Sequence, residues 1–209
     1  MSKIGKSFLR DERGGGAVEF ALVLPFLILM LFGIIDCGRW MWYYNMASKA
    51  TQAGARVAAV TQIIPSGLAA KSFVGETVNG VVLTQGDVIP ASALPAVTCK
   101  KPAGGALDCT PVPAGLTLTP INVTGWNSIV GQMQKMYPGI APENVTVVYR
   151  GSGVGYAGDP SGMDLSPLVT VKLEGLKFTP ISSLLLANVN MPQFATTLTS
   201  EDAVGTVSN

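Results

Sequence analysis

Arg13-Gly14-Gly15-Gly16-Ala17-Val18-Glu19-Phe20 opens directly into an apolar run from Ala21 to Ile35. From Ala17 to Ile35 the only charge is Glu19. With Gly15 and Gly16 the segment is about 20 residues long, and at ~1.5 Å per residue it measures roughly 30 Å, one hydrocarbon core. A carboxylate at the mouth of such a run is costly in lipid and calls for a partner or a role. A cleaved secretory signal fits poorly, because its small-residue site should follow the apolar region. Here Asp36-Cys37-Gly38-Arg39-Trp40 follows, and the glycines come first.

Upstream, residues 1–14 carry Lys3, Lys6, Arg10 and Arg13 against Asp11 and Glu12. Downstream, Arg39, Lys49 and Arg56 are spread more thinly. This bias predicts a cytoplasmic leader and the bulk of the chain outside. Trp40, Trp42, Tyr43 and Tyr44 read as an interfacial aromatic belt; the alternative is that they belong to the core of the following domain.

No Gly-Pro break interrupts the chain between Gly38 and Ile64, and Asn45 to Val60 is rich in helix formers. Ala47, Ala50, Gly54, Val57 and Ala58 form one small apolar stripe, with Lys49, Gln52 and Arg56 largely off it. The pattern predicts one helix from near Gly16 to near Ile63, on the order of 70 Å long. Pro65 ends it, and Pro25 predicts a kink or a stretched turn inside it. The outer stripe is expected to pack on the chain's own head domain.

Residues 66–209 suffice for one modest domain. Sparse charge with frequent Gly, Pro, Thr and Val favours sheet and turns. Asn144 to Arg150, Leu168 to Glu174 and Gln193 to Thr199 are the expected strands, the second with Val169, Val171 and Leu173 on its buried face. Trp126 to Tyr137 reads as a helix capped near Thr124 and stopped by Pro138-Gly139, and Ile181 to Leu186 as another short helix. Residues 66–122 lack clear periodicity and read as an irregular insertion. The fold expected is α+β: a long N-terminal helix packed on an antiparallel sheet.

Cys99 and Cys109 close a short Pro- and Gly-rich loop. Outside the cytoplasm an intramolecular disulfide is the simple expectation. Cys37 is left over. It is read as a buried small residue, with an intersubunit bridge or lipidation as alternatives.

The chain has no histidine, which removes Ser-His-Asp and Cys-His catalysis and the usual zinc sites. Gly151-Ser152-Gly153-Val154-Gly155 follows a strand, but no helical pattern follows it, so a dinucleotide site is not expected. Asp159 to Asp164 reads as a turn, and the sequons at Asn122 and Asn144 are matches of pattern alone. A net charge of +1 gives no support for nucleic-acid binding. No catalytic constellation, metal or cofactor is expected.

Gly14 with Glu19 five residues on, then Phe20 and an apolar helix, resembles the processing site of type IV prepilins. Gly16 to Pro25, with Gly33-Ile34-Ile35-Asp36-Cys37-Gly38-Arg39, is similar to the TadE-like family of the tight-adherence (Tad, Flp-type) pilus system. The likeness covers roughly residues 10–60. It implies a minor pilin or pseudopilin and says little about residues 65–209; the pilin-like α+β head and the absence of enzymatic activity are expected from the residues themselves. A prepilin peptidase would cut between Gly14 and Gly15, although three consecutive glycines leave the bond open among Gly14, Gly15 and Gly16. Glycine there lets the backbone enter a protease cleft extended. Glu19, favoured by the helix dipole, would pair with the new α-amino group of a neighbouring subunit, with Phe20 beside it; snorkelling of Glu19 to the headgroups is the plain alternative.

Losing four basic and two acidic residues leaves ten and eleven, formally −1, and removes most of the positive-inside anchor. The implied partners are the peptidase, other major and minor pilins, the inner-membrane assembly platform and membrane lipid. The expected layout is a leader at 1–14, a helix at 15–64 with its membrane span at 17–38, and an extracytoplasmic head at 65–209 containing the loop 99–109. The expected location is a single pass through the bacterial inner membrane, or the pilus itself. A membrane-retained assembly factor and a signal-anchored ligand-binding domain are the competing readings.

Overall fold

The computed structural model describes residues 15–160, 162–184 and 188–200. The expected leader with Gly14, and the end of the expected helix at Leu185 and Leu186, lie outside them. The chain divides into two compact units, residues 1–42 with 178–189, and 43–177 with 190–209.

Helix α1, Gly15–Val60, is continuous and carries Pro25 within it. It ends three residues before the expected point, and Thr61 still bonds back to Val57. In the first unit, the N-terminal part of α1 is accompanied by Phe178–Val189, which contains a 3-10 turn at Ile181–Leu184.

The second unit is built on α1 from Tyr43 onward. After the short helix α2, Ser66–Ala69, come strands β1 (Thr77–Val78), β2 (Val81–Val82), β3 (Val97–Lys100) and β4 (Asp108–Thr110). Helix α3 (Val123–Met136) leads to β5 (Val145–Arg150) and β6 (Leu168–Leu173). Short strands β7 (Lys177–Phe178) and β8 (Val189–Asn190) pair with each other, and β9 (Phe194–Thr199) closes the main sheet. That sheet has the order β4-β3-β5-β6-β9 and every pairing is antiparallel. The α+β architecture, a long helix on an antiparallel sheet, is the one expected.

The period of two decides which face packs. Cys99, Val147, Val171 and Thr196 lie opposite one another across four strands. The first three are fully buried, and Thr196 donates to the Thr51 hydroxyl on α1 at 3.2 Å. Val169, Val171 and Leu173 are all buried, as the alternation predicts. On the other face the Thr170 and Thr197 hydroxyls meet at 2.8 Å.

Helix α1 meets this core with Ala47, Ala50, Gly54, Ala55 and Ala58 buried. A Cβ at Gly54 would lie 2.7 Å from Met133 Cγ and 3.3 Å from Val171 Cγ1, so the missing side chain sets how closely helix, sheet and α3 approach. In α3, Trp126, Ile129, Val130 and Met133 are buried at helical spacing. Its cap is Asn122, which accepts from the Gly125 amide at 2.9 Å, rather than the expected Thr124. Asn122 has the extended backbone that capping needs, whereas Thr124 already lies within the helix.

Residues 66–122 are not wholly irregular: β3 and β4 are full members of the sheet. At four and three residues they are too short for alternation to register in the sequence. The Tyr149 hydroxyl, deep in the core, accepts from the Ile64 amide at 3.3 Å and ties the chain leaving α1 to β5. Burial pushes this phenol's pKa up.

Candidate functional site

The N-terminal half of α1 has a mean hydropathy of 2.6 in its most apolar stretch, none of which is buried. Val18, Phe20, Leu22, Phe26 and Met30 are all well exposed. A helix at the core of a soluble domain would hide these side chains; this one leaves them open and is long and apolar enough to cross a membrane.

At its start, Gly15 and Gly16 have open space where a Cβ would lie. Glu19 is exposed, and among the described residues it makes no hydrogen bond or ion pair. Glu19 therefore keeps its need for a partner, and Phe20 beside it is open to contact. Helix α1 runs through Pro25 without a break in its assignment.

One turn-and-a-half of polar chemistry stands at the other end of the run. Asp36 is buried, unlike the apolar residues before it. Its Oδ1 accepts from the Ile181 amide at 2.7 Å and from Arg39 Nη1 at 2.9 Å. Its Oδ2 accepts from the Ser182 amide at 3.0 Å and the Ser182 hydroxyl at 2.8 Å. The Arg39 guanidinium also lies over the Phe178 ring, 5.3 Å from its centroid. A carboxylate 146 residues away in the chain thus caps the turn at Ile181–Leu184. Sequence reasoning missed this role. The signal was available, since Asp36 closes the apolar run just as Glu19 opens it.

Cys37 is exposed, contrary to the buried position expected. Neighbouring helix residues point about 100° apart, so turning Asp36 into its contact turns Cys37 away. Of the aromatic group, Tyr43 packs on Tyr137 and Tyr44 on Phe194, with centroids 5.8 and 4.9 Å apart, whereas Trp42 is exposed. The first two pack against residues of the second unit without being buried in its core.

In that unit Cys99 and Cys109 are directly opposite on β3 and β4 and are joined by a disulfide. Asp164 is buried and accepts from the Phe73 amide at 2.7 Å, the Ser72 hydroxyl at 3.3 Å and the Asp159 amide at 3.1 Å. It ties Asp159 to the Ser72–Phe73 backbone and side chain, and among the described residues no acidic, Cys or His cluster is arranged to hold an ion.

Residues 14–56 match the family model described as TadE-like protein. No curated protein and no solved structure matches the chain.

Proposed function

From a TadE-like N-terminal segment, the mark of a protein associated with the Tad pilus, we propose that this chain is a minor pilin or pseudopilin that takes part in assembling or priming the fibre. The supporting observation is the bare apolar half of α1 with Glu19 unpartnered among the described residues. In the bilayer, lipid covers that half. In a fibre, neighbouring helices of other pilins take the place of lipid, and small residues let such helices approach closely.

The leader ends at Gly14 and a prepilin peptidase removes it, cutting before Gly15. The freed α-amino group then becomes the cation that a neighbouring Glu19 lacks. Loss of the basic leader also weakens cytoplasmic anchoring and eases extraction. The leader lies in the cytoplasm and the second unit outside, where the Cys99–Cys109 bridge is stable. A pilus component of this kind has binding surfaces and no catalytic centre.

The test is the intact mass and N-terminal sequence of the protein made with and without its peptidase. Processing gives a chain beginning at Gly15, or at Gly16 or Ala17 if the register shifts, and a Gly14 substitution leaves the larger precursor. An unchanged N-terminus in both strains overturns the processing step. Recovery in sheared pili rather than only in the inner membrane distinguishes a fibre subunit from a retained assembly factor.

A further inference from the structure

We infer that the stretch from Phe178 to Leu184 inserts into the membrane, entering the bilayer beside the Ile35 end of the α1 span with Asp36 holding its backbone. The inference rests on α1 crossing a membrane, and not on processing or on entry into a fibre.

Two features are each out of place alone. Asp36 is an acid at the end of a hydrocarbon-length run, where an unpaired charge is strongly disfavoured. Phe178–Val189 carries no charged residue, leaves Ile181 about half exposed at 52 %, and groups with the membrane helix instead of the sheet unit. Together they resolve each other. Non-helical backbone is tolerated at membrane depth only where its polar groups are satisfied by protein. The amides of Ile181 and Ser182, at the start of a turn and so without helical partners, are taken by the Asp36 carboxylate, as is the Ser182 hydroxyl. Arg39 supplies the compensating charge.

Ile181 stands level with Asp36, and the cleft that it shares with α1 runs from there towards the middle of the span. Leu24, Ile28, Leu29 and Phe32 of α1 line an almost wholly apolar cleft of about 470 Å³ with Ile181 and Ser182. From Ile35 back to Leu24 is 11 residues, roughly 16 Å at the helical rise, about half of a hydrocarbon core. Ile28 and Phe32 on this side are 38 % and 37 % exposed, against 74 % and 69 % for Phe26 and Met30. This flank is thus less open than the opposite one, though still exposed. Hydrocarbon tails are the occupant that fits the remaining cleft, since it is continuous with the lipid-covered helix and offers almost no polar group.

The test uses the full chain with Cys37→Ser and the Cys99–Cys109 bridge left oxidised, reconstituted into phosphatidylcholine vesicles containing acyl-chain nitroxide lipid. Single cysteines at Ile181, Met30 and Val154 carry an environment-sensitive fluorophore. Insertion predicts quenching at Ile181 severalfold above Val154 and close to Met30. Quenching at Met30 with Ile181 no different from Val154 overturns the inference while leaving the span intact. Absence of quenching at both Met30 and Ile181 overturns it together with the span. Adding Asp36→Ala should bring Ile181 down towards Val154 while Met30 is unchanged. An unaltered Ile181 signal there overturns the role given to Asp36.

Discussion

Asp36 takes both the amide and the hydroxyl of Ser182, at 3.0 and 2.8 Å, across 146 residues of chain. It is the one buried acid of the membrane-length helix, and its hydrogen-bond partners among the described residues, Arg39, Ile181 and Ser182, lie in its own unit. If the contact is as strong as charge-assisted geometry implies, Asp36→Ala should speed amide exchange at Ile181 and Ser182 by roughly tenfold or more, while exchange in β5 and β6 stays the same. Hydrogen exchange by mass spectrometry on the protein in detergent reads both. Equal protection in the variant would show that packing alone holds the turn.

Glu19 makes the complementary prediction at the other end of the run. Glu19→Gln keeps size and polarity but removes the charge. It should leave leader removal intact, because the residue lies beyond the glycines, and lower the amount recovered in sheared fibres. Loss of processing in Glu19→Gln would instead make the carboxylate part of the peptidase's recognition.

Gly54 of α1 faces Met133 and Val171 with no room for a side chain between them. Gly54→Leu should destabilise the second unit by about 1–3 kcal/mol through overpacking. Met133→Ala in the same chain should return part of that loss, because it removes the atoms nearest the new side chain. Denaturant titration followed by fluorescence, with Trp126 buried beside them in α3, measures each variant and the coupling between them.

Tyr149 is held protonated by burial, with its pKa raised above the ordinary value of 10.0. A raised folded-state pKa means its contribution is complete below pH 10 and is lost as pH climbs above that, because the unfolded chain ionises first. Tyr149→Phe should cost about 1 kcal/mol at neutral pH, through loss of the bond from Ile64. It should also flatten the fall in stability above pH 10. An alkaline profile identical to the parent's would assign that fall to other tyrosines.

The Cys99–Cys109 bridge closes a short loop between β3 and β4. Replacing both cysteines by alanine should lower stability by roughly 2–3 kcal/mol on the chain-entropy account. Mass spectrometry before and after reduction confirms the bond in the parent, and Cys37 remains available to alkylation in both forms.

What the sequence by itself determined is what local chemistry carries. Apolar length from Ala21 to Ile35, one acid before it and the small-residue stripe beyond it specify a long helix with one exposed apolar half, long enough to cross a membrane, and one packed half. Alternation in β5 and β6 is equally legible, because six residues let a period of two stand out. Partners distant in the chain were not legible. Nothing near Asp36 names Ser182, nothing near Asp164 names Phe73, and β3 and β4 are too short to announce themselves. Only the tertiary structure decided these, because a buried carboxylate is satisfied by whichever unpaired amides folding brings to it. The geometry of chain closure sets that choice, and no local pattern encodes it.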